Sequence, residues 1–337
     1  MRKIIGIGNA LVDVLVHLDD EQQLQTLGLA KGGMVHITRE RRDELQPLLK
    51  GLKIERATGG SAANTIHALA LLGNETGYIG AVGNDELGRF FSERSRERGI
   101  EARLSIIPDE PTGTATTFIT PDRERTFATH LGAAARLNDD IKPEQFSGYD
   151  ILHIEGYLLQ DQLLIENILR TAKQAGLLVS YDLASWNIVR EHNELIHRLV
   201  EDYVDIVFAN EEEATAFSGH SDPNISLQYL GELTTIAVVK TGKHGAQGQH
   251  NVGKGSEFAF SPSLKKTAVD TTAAGDFFAA GFLHAFIRGK GLRECLDCGN
   301  LTASEVIQVI GTQVDPAKMK EISDLETESF RNMQLRR

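Results

Sequence analysis

The chain has 337 residues, of which 41% are hydrophobic and 24% charged, so it can bury a large core as one domain or one domain with an attachment. Its formal net charge of −12 argues against a general binder of nucleic acid or anionic membranes, because both attract basic surfaces. Polar residues interrupt the apolar N-terminal stretch and no long apolar run follows, so we expect a cytoplasmic enzyme with no membrane partner.

The first predicted strand leads directly into polar residues. Ile4–Gly8 predicts a short buried strand, and Val14–His17 predicts a second one. Asn9 and Asp13 follow the carboxyl end of the first strand, where ligand hydroxyls often bind in α/β proteins. The alternative is that both residues only form a turn.

A pair of glycines opens the next candidate site. Gly59 and Gly60 precede a predicted helix that carries Asn64 in its first turn and ends at Gly73. Such a loop lets a polar ligand approach the backbone, while the amide of Asn64 can both donate to and accept from a diol.

A set of half-polar strands departs from the helix–strand alternation around it. The stretches Thr112–Thr120 and Arg125–His130 flank a turn at Pro121-Asp122 and predict a hairpin. Together with strands near the N-terminus they predict a small separate sheet, with strands from about 11–38 and 112–130. A sheet with one polar face beside a ligand loop would serve as a lid.

From residue 140 onward apolar strands alternate with amphipathic helices, which predicts a parallel sheet covered on both faces. Asn210 and Glu213 follow one of these strands and can face the same side of a helix. Their oxygens suit Mg²⁺ bound through water, and the alternative is an acidic helix N-terminus. After the next strand, the glycines of Thr241–Gly245 could approach phosphates, although no Walker A pattern is present.

The rest of the chain is organised around Asp270–Asp276, which predicts a strand end, a tight turn and the start of a buried helix. The first turn of a helix has amides without intrahelical partners and favours negative charge. Small residues at 273–275 let a phosphate approach, and Asp276 could accept a proton beside it. The alternative is a simple turn with a capping aspartate.

Three motifs together resemble the ribokinase-like, PfkB-type carbohydrate and nucleoside kinases along nearly the whole chain. The matching segments are Asp270–Asp276 for the Asp-Thr-x-Gly-Ala-Gly-Asp signature, Gly59–Asn64 with Gly73 and Gly83 for the N-terminal signature, and Asn210 with Glu213 for the Asn-x-x-Glu motif. The resemblance implies one kinase domain over residues 1–337, a doubly wound αβα sandwich with a small β-sheet lid. It also implies MgATP-dependent phosphorylation of a primary hydroxyl.

The resemblance further implies a role for each candidate residue. Catalysis is assigned to the base Asp276, to the anion hole of Ala273, Ala274 and Gly275, and to Arg125, which would move onto the phosphates when the lid closes. The acceptor would be held by Asn9, Asp13, Gly59, Gly60 and Asn64. ATP would be bound by Asn210, Thr241, Gly242, Gly245 and Asn300, with Mg²⁺ held through water by Asn210 and Glu213, and a monovalent cation could lie near Asp270.

Within this family the chain is most similar to the adenosine kinases, on the stretches Pro111–Thr114, Asn64–Ile66 and Val204–Asn210 and on Arg125. We therefore expect adenosine as acceptor and AMP as product. The alternatives are a kinase of ribose, fructose or a related sugar, and a nucleotide-binding regulator with weak catalysis. Either a monomer or a homodimer formed through the lid is expected.

Two positions depart from simple expectations. Ala273 stands where the family signature has glycine, and a positive φ there would cost an alanine about 1 kcal/mol. Trp186 could serve substrate, nucleotide or core, and its aromatic character favours the core.

Overall fold

The larger of two sheets forms the centre of the molecule in the computed structural model, which describes residues 2–122, 124–137, 141–253 and 255–334. Its strands, numbered along the chain together with those of the second sheet, are β1 (Ile4–Ile7), β5 (Thr76–Gly83), β6 (Glu101–Ile107), β9 (Ile151–Glu155), β10 (Leu178–Asp182), β11 (Ile206–Asn210), β12 (Ile236–Lys240), β13 (Ala246–Val252) and β14 (Gly255–Ser261). They lie in the order β14-β13-β12-β11-β10-β9-β1-β5-β6. All pairs from β6 to β12 are parallel, and β13 and β14 add an antiparallel hairpin.

Helices cover both faces of this sheet because successive strand residues point to opposite sides. Ile4 and Phe208 face one apolar cluster, and their neighbours Ile5 and Val207 face the other. The helices are α1 (Gln22–Thr26), α2 (Arg39–Leu45), α3 (Ser61–Leu71), α4 (Glu86–Glu97), α5 (Gln162–Gln174), α6 (Trp186–Glu191), α7 (Asn193–Tyr203), α8 (Glu211–Ser218), α9 (Pro223–Leu233), α10 (Ala274–Phe286), α11 (Leu292–Val306) and α12 (Pro316–Gln334). Within the described ranges, no helix is long and apolar enough to cross a membrane.

The second sheet is smaller and has its own core. Its strands are β2 (Leu11–His17), β3 (Met34–His36), β4 (Lys53–Gly59), β7 (Gly113–Ile119) and β8 (Arg125–His130), in the order β3-β8-β7-β2-β4. Val16, Phe118 and Ala128 pack there with leucines of the segment around α1 and α2. The predicted αβα sandwich with a small β-sheet is thereby confirmed.

Several elements differ from the predictions. The strands β4 and β6, the β13–β14 hairpin and α12 were not predicted. The segment before Asp270 is irregular, so the predicted strand end there is wrong. The amides of Val269 and Asp270 instead donate to the carbonyl of Ile307, at 2.7 and 3.1 Å, which fixes the segment against the end of α11.

Candidate active site

A cavity of about 910 Å³ opens between the carboxyl ends of the central strands and the smaller sheet. Parallel strands present their carboxyl ends at one edge, which is why residues far apart in sequence meet there. The cavity brings together most of the predicted residues, namely Asn9, Asp13, Gly60, Asn64, Asn210, Glu213, Gly242, Gly245, Ala273, Ala274, Gly275, Asp276 and Asn300. Three predicted residues, Gly59, Thr241 and Arg125, are outside its lining.

Asp276 lies in the first turn of α10 and is held by α3. Its Oδ1 accepts from the hydroxyl of Ser61 at 2.7 Å, and its Oδ2 accepts from Nδ2 of Asn64 at 3.1 Å. The hydroxyl of Thr65 donates to its backbone carbonyl at 3.2 Å. Desolvation in the cleft raises the pKa of Asp276 to about 7, although the Ser61 hydrogen bond opposes the shift. This carboxylate therefore suits proton transfer near neutral pH.

The turn before α10 is the segment for which an anion site was predicted. Ala273 adopts φ 59° and ψ 9°, a left-handed conformation that glycine tolerates better than alanine. The amide of Ala274 donates to the carbonyl of Thr271 at 3.2 Å, whereas the described residues include no acceptor for the amides of Gly275 and Asp276. Both amides belong to the first helical turn, where a bound anion would supply the missing acceptor.

We expect Ala273→Gly to raise the free energy of unfolding by roughly 1 kcal/mol, because it removes the clash that an alanine has at positive φ. Urea denaturation measures the change. Ala184→Gly is the matched control, since Ala184 also has a positive φ, of 68°. A lower stability for Ala273→Gly, with a gain for Ala184→Gly, would show that the methyl group at 273 makes a needed contact.

In the part of the cleft near Asn9, the fully buried Glu155 holds this predicted substrate residue in place. It accepts from the backbone amide and from Nδ2 of Asn9, at 3.0 and 2.8 Å, and from the amide of Ala62 at 2.6 Å. Burial raises the pKa of Glu155, and these hydrogen bonds oppose the rise. Sequence analysis missed this residue, whose position as the last residue of β9 is the signal that could have identified it.

Asp13 also lines this part of the cleft, and the pKa of its carboxyl group is raised. Burial, and then the charge of Asp270, raise the pKa of Asp13 to about 7. Gly59 does not line the cleft, and an added Cβ there would overlap the Asp13 carboxylate. The absence of a side chain at Gly59 therefore leaves the space that the Asp13 carboxylate occupies.

Asn210 and Glu213 form a reciprocal cap at the start of α8. The amide and Nδ2 of Asn210 donate to the Glu213 carboxylate at 2.8 and 2.7 Å, and Oδ1 of Asn210 accepts from the amide of Glu213 at 2.8 Å. No cluster of three or more His, Cys, Asp or Glu residues with metal-binding geometry occurs in the described part of the chain. The expected binding of Mg²⁺ through water by this pair stays a prediction.

In the predicted phosphate loop, the two glycines line the cleft and the threonine does not. Gly242 and Gly245 line the cleft with positive φ values of 53° and 112°. Thr241 turns inward, where its hydroxyl and its amide donate to the carbonyl of Gly245 at 3.0 and 2.8 Å. These hydrogen bonds shape the loop. The assignment of Thr241 to nucleotide binding stays a prediction.

Asn300 connects α11 to the same end of the cleft. Its Nδ2 donates to the carbonyl and hydroxyl of Ser261 at 3.0 and 2.8 Å, and to the carbonyl of Pro262 at 3.3 Å. The side chain therefore fixes the segment after β14 that borders the cleft. Its predicted contact with adenine stays a prediction.

Arg125 lies at the start of β8 and contacts the segment before α10. Its guanidinium pairs with Asp270 and donates to the hydroxyl of Thr272 at 3.0 Å. Asp270 also accepts from the amides of Thr272 and Gly311 at 2.8 and 2.6 Å. These donors engage both oxygens of the Asp270 carboxylate. The monovalent cation expected near Asp270 stays a prediction. The movement of Arg125 onto phosphates stays a prediction.

A buried ion pair at two strand ends was missed from the sequence. Nζ of Lys240, the last residue of β12, donates to Oδ2 of Asp182, the last residue of β10, at 2.8 Å. Burial, and then the Asp182 charge, raise the pKa of Glu213, and the nearby Lys240 ammonium opposes that rise. All three residues line the cleft.

Trp186 does not belong to the core or to the cleft. Its side chain is 39% exposed, and the guanidinium of Arg190 lies 4.8 Å from its ring centroid. The prediction of a core role is wrong, because the residue begins the short helix α6 on the surface, where its neighbour Arg190 covers one ring face.

Comparisons with known proteins agree with this fold. A model described as "pfkB family carbohydrate kinase" matches residues 26–319. The structure of adenosine kinase from Sinorhizobium meliloti is 30% identical with a TM-score of 0.84, covering 96% of this chain and 99% of that one. A probable sugar kinase protein from Rhizobium etli CFN 42 has the same identity and TM-score, covering 96% and 98%. A 5-dehydro-2-deoxygluconokinase from Halalkalibacterium halodurans is 27% identical over 78% of this chain and 83% of its own length. The chain belongs to the pfkB family of carbohydrate kinases.

Proposed function

We propose that this pfkB-family kinase transfers the terminal phosphoryl group of ATP to the primary hydroxyl of a nucleoside, with adenosine as acceptor and AMP as product. The observation that supports a nucleoside acceptor most directly is an apolar wall that the smaller sheet presents to the cleft. It consists of Leu11, Ala115 and Phe127 from the strands, together with Leu131, which directly follows β8. A purine gains free energy by burying its faces against such side chains, whereas a bare sugar needs polar groups there.

Polar groups beside this wall support the binding of a ribose. Asn64 uses Nδ2 for Asp276, and its buried Oδ1 has no partner among the described residues. An acceptor hydroxyl that donates to this oxygen would satisfy a buried polar atom. Asn9 and Asp13 line the same region, so a diol could be held between two amides and a carboxylate.

In the proposed reaction, Asp276 accepts the proton of the primary hydroxyl while the new oxygen–phosphorus bond forms. The amides of Gly275 and Asp276 stabilise charge on the transferred phosphoryl group, because they are oriented before the reaction begins. Asn210 and Glu213 would hold Mg²⁺ through water, and the ion would offset the negative charge of the phosphates. Because Gly242 and Gly245 have no side chains, the phosphates of the nucleotide could approach the backbone of the loop.

A sugar acceptor is the second candidate. His36, Thr129 and Gln160 also line the cleft and could bind hydroxyls in place of a purine edge. The 5-dehydro-2-deoxygluconokinase and the probable sugar kinase among the relatives favour the same alternative. A nucleotide-binding regulator is a third candidate, because the alanine at 273 places a methyl group at the anion site.

The acceptors are best compared by kcat/KM at fixed MgATP. Burying on the order of 100 Å² of base at about 25 cal/mol/Å² contributes roughly 2.5 kcal/mol, or about 70-fold in kcat/KM. We therefore expect adenosine to exceed ribose and fructose by roughly this factor. A preference for a free sugar would transfer the assignment to a sugar kinase, and ATP binding without turnover on any acceptor would favour the regulator.

The pH dependence of kcat/KM for the acceptor tests the proton acceptor in the free enzyme. Since the pKa of Asp276 is raised to about 7, the carboxylate becomes protonated below that pH and loses its ability to accept a proton. We expect kcat/KM for the acceptor to be constant above about pH 7 and to fall roughly tenfold per pH unit below it. A kcat/KM that stays constant down to pH 5.5 would contradict the assignment.

A further inference from the structure

Lys240 lies between the predicted phosphate loop and the proposed anion site at the start of α10. It is the last residue of β12 and precedes the loop Thr241–Gly245. An added Cβ on Gly275 would lie 3.1 Å from Nζ of Lys240, so the ammonium sits against the first turn of α10. The side chain is 14% exposed and lines the cleft. A fixed positive charge therefore adjoins the amides of Gly275 and Asp276.

The ammonium group is charged and can still donate to a ligand. Burial lowers the pKa of Lys240, but the charges of Asp182 and then Glu213 more than offset this and raise it above its ordinary value. An ammonium has three N–H donors, and the hydrogen bond of 2.8 Å to Asp182 uses one of them. The others can reach an anion that enters the cleft.

We propose that Lys240 is a catalytic residue, whose ammonium binds an oxygen of the terminal phosphoryl group of ATP beside the amides of Gly275 and Asp276. Asp182 is the positioning residue that holds this ammonium in place. The inference rests on the proposed phosphoryl transfer and extends it, because it adds a positively charged side chain from the end of β12. A fixed charge of this kind stabilises the transferred group without reorganisation during the reaction.

A structural role for Lys240 would predict a different result. In that case the ammonium only neutralises the buried Asp182 carboxylate, and removing both charges together would restore the protein. A second ion pair provides a matched control for the loss of such a contact. Nζ of Lys173 donates to the Asp205 carboxylate at 3.0 and 2.8 Å, and neither residue lines the cleft.

The experiment compares Lys240→Met, the double variant Lys240→Met/Asp182→Asn and the control Lys173→Met in the full chain. We expect both variants at 240 to lose kcat on the order of 10²–10³-fold, as for removal of one oriented charge-stabilising donor. The double variant should regain the melting temperature that Lys240→Met loses, but not the kcat. Lys173→Met should retain kcat. A double variant with near wild-type kcat would overturn the proposal.

Calorimetric titration with ATP analogues tests the same contact without turnover. A non-hydrolysable ATP analogue carries the terminal phosphate and ADP does not, so the double variant should lose affinity at least about tenfold more for the analogue. Equal losses for the two nucleotides would contradict a contact with the terminal phosphate. If wild type binds the analogue in this Lys240-dependent way but phosphorylates no acceptor, the proposed function fails while the assigned contact stands.

Discussion

Asp276→Asn is expected to lower kcat on the order of 10³-fold while changing the KM for the acceptor by less than about threefold. The amide is nearly the same size as the carboxylate and can still accept hydrogen bonds from Ser61 or Asn64, so the cleft keeps its shape. It cannot accept the proton of the hydroxyl, and general base catalysis typically contributes about 10²–10⁴-fold. Steady-state kinetics with adenosine and MgATP measures both constants.

Thermal unfolding is the control for this variant. The pKa of Asp276 is raised to about 7 in the folded chain, above its ordinary value of 3.8, so ionisation between those pH values costs stability that is present at lower pH. Replacing the carboxylate by a neutral amide removes that cost at pH 7 and above. Asp276→Asn should therefore melt at the same or a higher temperature than wild type. Near-normal turnover in the variant would exclude Asp276 as the base.

Gly60→Ala is expected to have the second largest effect. Gly60 has φ 98° and ψ 134°, a conformation that alanine rarely adopts, and a Cβ there would overlap the backbone carbonyl of Asn9. Backbone strain of about 1–3 kcal/mol and the forced displacement of Asn9 act together. We expect a loss of roughly 3 kcal/mol in unfolding free energy and a KM for the acceptor that rises more than about tenfold.

Gly73→Ala is the matched control for this change. Gly73 also has a positive φ, of 80°, but an added Cβ would have no neighbour within 4 Å. The control should lose about 1 kcal/mol of stability and keep its KM, because only the backbone conformation is penalised. Equal changes in KM for the two variants would show that the acceptor site does not depend on the space between Gly60 and Asn9.

The parts of the fold that local patterns determine were predictable. Apolar strands such as Ile236–Lys240 alternate with amphipathic helices, and this alternation predicts the layered sheet. The strand β4 was missed because its charged sequence, Lys53–Gly59, suits an edge strand that pairs on one side with β2. The pairing of β13 with β14 depends on the edge of a sheet that is assembled from distant segments.

The same distinction applies to the site. Asn210 and Asp276 belong to recognisable motifs, and the cleft brings them together. Glu155 and Lys240 belong to no motif. Apart from their positions at the ends of β9 and β12, only contacts with partners 93 and 58 residues away, Ala62 and Asp182, indicate their importance. The contacts of Arg125 with Asp270 and Thr272 join distant segments and are not specified by local sequence, and its movement onto phosphates on lid closure stays a prediction.

The most direct measurement of the central claim is phosphoryl transfer from MgATP to adenosine, compared with 5′-deoxyadenosine, which keeps the base and ribose but lacks the primary hydroxyl. We predict equimolar ADP and AMP with adenosine. We also predict that 5′-deoxyadenosine competes with adenosine but releases no ADP above the rate without acceptor. Equal ADP release with both compounds, or no transfer to adenosine although both adenosine and ATP bind, would contradict the account.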